Sequence, residues 1–230
     1  MLKIWHISDT HGQHELLDGK IPSNIDVMIH SGDATNHRSG LWNFPEMRKF
    51  LDWYGAIDIP NKIYVAGNHD VSVYNKQIVK KDFEDAGIIY LEMDSVIIDG
   101  VKFYGIPYTP TYGDWVFMVR RDKISNLYDQ IQSDSDVLIS HGPPKGVLDL
   151  SYNMDNKMEF CGCKALKKYI NSGENSIKYN LFGHIHSVGD VVNTGLRIID
   201  GVTYSNASVL TDSKFANGLS SYGNIIDIQN

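Results

Sequence analysis

Five short polar motifs carry the side chains best suited to chemistry. They are Asp9-Thr10-His11, Gly32-Asp33, Gly67-Asn68-His69-Asp70, Ser140-His141-Gly142 and Gly183-His184-Ile185-His186. Carboxylate oxygen, amide oxygen and imidazole nitrogen together make the donor set of a first-row divalent metal. No thiolate is among them, so a closed structural zinc site fits poorly. Any one motif is common by chance; five in this order, each directly after a β-like run, form a strong signal. Asp9, Asp33 and Asp70 gathered without a cation would stack like charges, at a cost on the order of several kcal/mol per buried ion. A bound metal removes that cost. Of the nine histidines, five lie in these motifs. His6 and His30 fall inside apolar runs and read as packing residues. His14 reads as a solvated loop residue. His37, four residues after Asp33, reads as a surface residue, with a substrate contact as the alternative.

The elements that must position these motifs are short strands. Apolar runs predict strands over 2–7, 26–31, 62–66, 88–91, 95–99, 101–106, 136–140 and 179–183, and two more over 196–200 and 202–206. Several are apolar throughout rather than alternating, which suits strands covered on both faces. Asp99-Gly100 and Asp200-Gly201 are hairpin signals. Met47, Phe50, Leu51 and Tyr54 fall at helical spacing, as do Ile124, Leu127, Tyr128 and Ile131. Segments 75–86 and 162–171 are shorter helix candidates. The alternation reads as an α/β layered fold. In open α/β sheets ligands bind beyond the carboxyl ends of the strands, where all five motifs sit.

The chain has 230 residues, 42% hydrophobic and 21% charged, the composition of an ordinary globular domain. Its net charge of −7 argues against strong nucleic-acid binding, which needs clustered Lys and Arg. It leaves a phosphate substrate open, because bound dications supply local positive charge. Cys161 and Cys163 sit too close together to bridge easily and read as reduced thiols near a helix start. No run approaches the length of a membrane span, and the N-terminus enters a strand with no room for a signal segment. A cytoplasmic, non-membrane protein is the expectation.

The motif order D-x-H, G-D, G-N-H-D, S-H-G, G-H-x-H resembles the calcineurin-like metallophosphoesterase superfamily. Residues 140–149 (SHGPPKGVLD), 162–166, 181–186 and 205–208 (SNAS) look like its small MPPED-like branch, as do 105–110 and 113–115. The resemblance covers essentially the whole chain and implies a single domain over 1–230. It implies a central β-sandwich flanked by helices, with two divalent metals at one edge. Carried over by motif position, one metal is held by Asp9, His11, Asp33 and His186. The other is held by Asp33, Asn68, His141 and His184, with Asp33 bridging. The ligands admit Mn, Fe, Co, Ni or Zn, with manganese the first choice.

The implied activity is phosphodiester hydrolysis of a small molecule or cyclic nucleotide, by attack of a metal-activated hydroxide on phosphorus. His69 would act as general acid or charge stabiliser at the leaving group, oriented by Asp70, for which a loop cap is the alternative. Tyr108, Tyr112 and Trp115 are candidates to stack on a substrate base, with loop packing as the alternative. Competing readings are a phosphomonoesterase or protein phosphatase, a nuclease, and a non-catalytic scaffold.

Overall fold

The computed structural model describes residues 1–153, 155–211 and 218–229. In chain order its strands are β1 (Leu2–Ile7), β2 (Val27–His30), β3 (Asn61–Tyr64), β4 (Ile89–Tyr90), β5 (Asp94–Ile98), β6 (Val101–Ile106), β7 (Thr109–Pro110), β8 (Met118–Val119), β9 (Val137–Ser140), β10 (Leu150–Tyr152), β11 (Met158–Phe160), β12 (Tyr179–Phe182), β13 (Gly195–Ile199), β14 (Val202–Asn206) and β15 (Asn224–Ile228). Its helices are α1 (Gly40–Ala56), α2 (Val71–Tyr74), α3 (Lys80–Asp85), α4 (Ser125–Tyr128) and α5 (Lys164–Ile170).

Two sheets form the centre. One has the order β15-β1-β2-β3-β4, the other β13-β14-β12-β9-β6-β5. In the first, β1 to β4 run parallel and β15 closes the edge antiparallel. In the second, β14, β12, β9 and β6 run parallel, with β13 and β5 antiparallel at the edges. Ile4, Val27, Ile29 and Ile63 of the first sheet share one buried cluster with Phe103, Val137, Ile139 and Leu181 of the second. On the outer face of the first sheet, Trp5, Met28 and Tyr64 pack with Met47, Phe50, Leu51 and Tyr54 of α1. On the outer face of the second, Tyr104, Leu138 and Phe182 pack with Leu166 and Ile170 of α5. The result is four layers, helix–sheet–sheet–helix. Apolar side chains on both faces of β2 and β9 explain why those runs do not alternate.

Both Asp-Gly pairs are the hairpin turns between β5 and β6 and between β13 and β14. Asp99 and Gly100 have φ of 48° and 80°, Asp200 and Gly201 of 51° and 80°. Left-handed backbone at both central residues matches the right-handed twist of the strands they join. The helix expected around Ile124–Ile131 is a single turn, although Ile124, Tyr128 and Ile131 are all buried. Within 75–86 only Lys80–Asp85 is helical, and the short α2 precedes it. Strands β7, β8, β10, β11 and β15 lie outside the sequence-based expectation. His14 is a correction. Expected in solvent, it is 3% exposed and lies against the rings of Phe50 and Trp53. Cys163 is the N-cap of α5, its sulfur accepting from Leu166 N, and both cysteines are free thiols.

Candidate metal centre

Parallel strands in both sheets end on the same rim, and the residues just past those ends converge there. Asp9 and His11 follow β1, Asp33 follows β2, Asn68 and His69 follow β3, His141 follows β9, and His184 and His186 follow β12. The approach is tight. Asp9, His11, Asp33 and His184 all have positive φ, of 56°, 42°, 58° and 68°. Left-handed backbone costs a non-glycine residue roughly 1–2 kcal/mol, so cross-links must hold it. Asp9 N donates to Gly32 O (2.9 Å), His11 N to Asp33 O (3.1 Å) and Gly12 N to Ala34 O (2.8 Å), stitching the first two loops together. A side chain at Gly183 would collide with the Asp9 carboxylate and the Ser8 hydroxyl.

Three overlapping groups of donors gather within 4.8 Å: Asp9, His11 and His186; His11, Asp33 and His69; and Asp33, His141 and His184. Hydrogen bonds on the far side of two imidazoles assign their tautomers. His11 Nδ1 lies 3.2 Å from Thr35 O and His141 Nδ1 2.9 Å from Ser31 O, so each neutral ring donates from Nδ1 and turns an Nε2 lone pair inward. The His141 lone pair meets Asn68 Oδ1 at 3.0 Å and Asp33 Oδ2 at 3.4 Å. The His11 lone pair meets His186 Nε2 at 3.4 Å and Asp33 Oδ2 at 3.9 Å. Acceptors face acceptors, an arrangement that calls for cations in the middle. The titration behaviour agrees. Burial opposes protonation of His141, yet the charge and hydrogen bond of Asp33 push its pKa up to about 9, so without a metal a proton takes the inward Nε2 position. Burial also acts against ionisation of Asp9 and Asp33, but surrounding imidazoles hold both carboxyls well below the usual range. Burial lowers His11 to about 4 and His184 to about 3, keeping those rings neutral, as metal ligands must be. The donor set therefore fits two divalent ions.

His69 is fixed at several points. Its N–H donates to Asp33 Oδ1 (2.7 Å), and its carbonyl accepts from Thr35 Oγ1 (2.9 Å) and Asn43 Nδ2 (2.8 Å). Its Nδ1 lies 3.3 Å from Asn36 O, leaving Nε2 as the ring nitrogen without that partner. Asp70 does not orient this ring. Its carboxylate accepts from Asp33 N (3.0 Å), Gly67 N (2.6 Å), Tyr64 Oη (2.7 Å) and Thr35 N (3.2 Å), and lies 3.0 Å from Thr35 Oγ1, competing with His69 O for that one hydroxyl proton. It knits the loops after β2 and β3, nearer to the loop-capping alternative. Burial and the neighbouring Asp33 charge raise its pKa to about 6.

Sequence reasoning missed Asn43. This wholly buried side chain donates to His69 O, His37 O and Thr35 Oγ1, and accepts from Ser72 N. The available signal was its position one turn before Met47 on the buried stripe of α1, where an amide is out of place. Ser208, in the SNAS segment, donates to Asp9 Oδ2 at 2.7 Å.

The rim residues divide. Trp115 packs against His69, ring centroids 4.0 Å apart, and carries the Arg38 guanidinium 3.5 Å from its ring centre. Tyr112 meets His184 edge-on at 5.6 Å. Tyr108 turns away: its hydroxyl donates to Glu92 and its ring packs on Phe117. His37 also turns away, paired with Glu46 at 2.7 Å and half exposed. A cleft of about 660 Å³ opens from His184 and His186 between Tyr112, Tyr152 and Phe160.

A family model described as calcineurin-like phosphoesterase matches residues 2–188, a span holding all three donor groups described above. The chain belongs to this family. It is 31% identical over 230 aligned positions to human "Metallophosphoesterase domain-containing protein 1", covering 89% of this chain and 65% of the human protein. It thus spans slightly less than two thirds of that relative's length. A Caenorhabditis elegans UPF0046 protein is 35% identical, covering 82% of this chain and 70% of its own. A solved structure superposes over 90% of both chains with a TM-score of 0.64 at 14% identity, which shows a shared fold.

Proposed function

We propose that this metallophosphoesterase hydrolyses phosphodiesters of small molecules, cyclic nucleotides among them, with two divalent ions. The observation that carries the reading is Asp33, shared between donor groups that otherwise draw on different loops. Asp9, His11, Asp33 and His186 would hold one ion, and Asp33, Asn68, His141 and His184 the other. Bound there, two dications supply Lewis acidity toward phosphoryl oxygens and a water of lowered pKa. Manganese is the first ion to test.

The chain's own groups do the rest. His69 is anchored through both backbone polar atoms, and Asn36 O fixes which ring nitrogen carries the first proton. When protonated, His69 can therefore give a proton from Nε2 to the departing alkoxide. The adjoining cleft has the volume of a small-molecule site. Preference for diesters follows the likeness to the MPPED-like branch. The deciding assay compares bis-aryl and mono-aryl phosphates with added Mn²⁺, for the parent and for His69→Ala at equal metal occupancy. Faster diester turnover, lost on substitution, is the expected result. Preference for the monoester overturns the diester assignment, and equal rates in the two proteins overturn the role of His69.

A further inference from the structure

Arg38 has no place in the chemistry described so far, yet it is built in beside it. Its guanidinium lies 3.5 Å from the centre of the Trp115 ring, and that ring lies 4.0 Å from His69. Stacking engages the face of a guanidinium and leaves its five in-plane N–H donors free for an anion. The nearby acids do not consume them. Glu46 is taken by the His37 ring and by the backbone N–H groups of Asn36 and His37. Asp114 lines the same 370 Å³ hollow as Arg38 and Trp115, but forms no ion pair with Arg38 among the described residues. An exposed arginine held over an indole gives up less conformational entropy on binding than a free surface arginine.

Position supplies the rest. His69 is where the leaving group departs, and the stack extends outward from it. The geometry points to Arg38 as a specificity-determining residue: it binds an anionic group, carboxylate or phosphate, carried by the leaving-group portion of a phosphodiester substrate. Trp115 is its platform. The inference rests on the hydrolytic reading above and narrows its substrate class, from phosphodiesters in general to those whose leaving alcohol bears a second negative charge a few bonds from the ester oxygen.

The test pairs two probes, bis(4-carboxyphenyl) phosphate and bis(phenyl) phosphate. They share the diester and differ in a carboxylate placed one benzene ring away from the ester oxygen. With Mn²⁺-loaded protein, Arg38→Ala is expected to raise KM for the carboxylated diester about 10- to 100-fold, the factor of a lost charge-assisted hydrogen bond. Its kcat should change little, and both constants for the plain diester should stay within about twofold. Trp115→Ala should lose the KM difference between the two diesters, whatever it does to turnover through its contact with His69, while Trp115→Phe, which keeps a ring face, should retain most of the discrimination. An equal KM change for both probes overturns the proposal. A second readout is independent of turnover. In metal-free protein, the Arg38 Nε–H resonance should shift on adding the carboxylated diester and stay in place with the plain one. If neither diester is hydrolysed, the hydrolytic reading fails and this shift still decides the subsite: its presence supports an anion site at Arg38, and its absence overturns it.

Discussion

Asn43→Ala should destabilise the protein far more than a change at a solvent-facing helix position. The amide has four partners at 2.7–2.8 Å, its two N–H hydrogens shared among three acceptors and its oxygen accepting from Ser72 N, and nothing of the residue is exposed. Three of these contacts hold the stretch from Thr35 to His37 and the carbonyl of His69; the fourth satisfies the N–H of buried Ser72. A neutral buried hydrogen bond contributes about 0.5–1.5 kcal/mol, and a stranded buried N–H costs about 1–3 kcal/mol. Thr35 Oγ1 still serves the His69 carbonyl in the variant, so the full sum does not apply. The expected loss is about 3–5 kcal/mol, measured by urea unfolding of metal-free protein. His37→Ala is the control, because an exposed pair with Glu46 contributes about 1 kcal/mol or less. Mn²⁺ affinity should fall in Asn43→Ala, since Asn68 precedes the anchored carbonyl. A loss below about 1 kcal/mol would refute the reasoning that this amide organises the loops beneath the site.

Other outcomes follow from the same geometry. Asp33→Asn should weaken both ions together, because its carboxylate lies 3.9 Å from His11 Nε2 and 3.4 Å from His141 Nε2, and calorimetric titration with Mn²⁺ should show neither site retaining parental affinity. His6 and His30 are fully buried, and burial lowers each pKa from 6.5 to about 3, against which the Asp9 charge acts weakly. The unfolded state therefore binds protons that the native state refuses. The contribution of these two histidines to stability is complete above about pH 6.5 and falls toward pH 3, by about 1.4 kcal/mol per pH unit per histidine. His6→Gln, able to bond to Ser31 and Ser205, should flatten that dependence in chemical unfolding at pH 7 and pH 5; an unchanged slope would mean His6 does not stay neutral. Ions that bind only the native state stabilise by about 2.7 kcal/mol per site at 100 times Kd, so chelation should lower the melting temperature measurably.

Strands were legible in the sequence where both faces are buried. The apolar runs at β1, β2, β6 and β9 needed no partner to be seen. Their division into two facing sheets was not legible from periodicity, because Val27 and Val137 join one buried cluster across the sandwich with no local signature. β15 had a signal in its alternation, Ile226 and Ile228 inward and Ile225 and Asp227 outward. The reverse error was His14, whose burial depends on α1 side chains from far along the chain. Convergence of the five motifs was readable because strand polarity alone sends parallel carboxyl ends to one rim. The Asp70 contacts were not: sequence adjacency suggested a bond to His69, whereas the turn after β3 sends the two side chains to opposite jobs. Asn43 was hidden because a buried amide inside an apolar stripe carries no motif.

The most direct test is anomalous scattering from crystals of protein loaded with Mn²⁺. Two peaks are expected, one among Asp9, His11, Asp33 and His186, the other among Asp33, Asn68, His141 and His184, both in contact with the Asp33 carboxylate. A single peak, or none near Asp33 in protein shown to be saturated, would contradict the account.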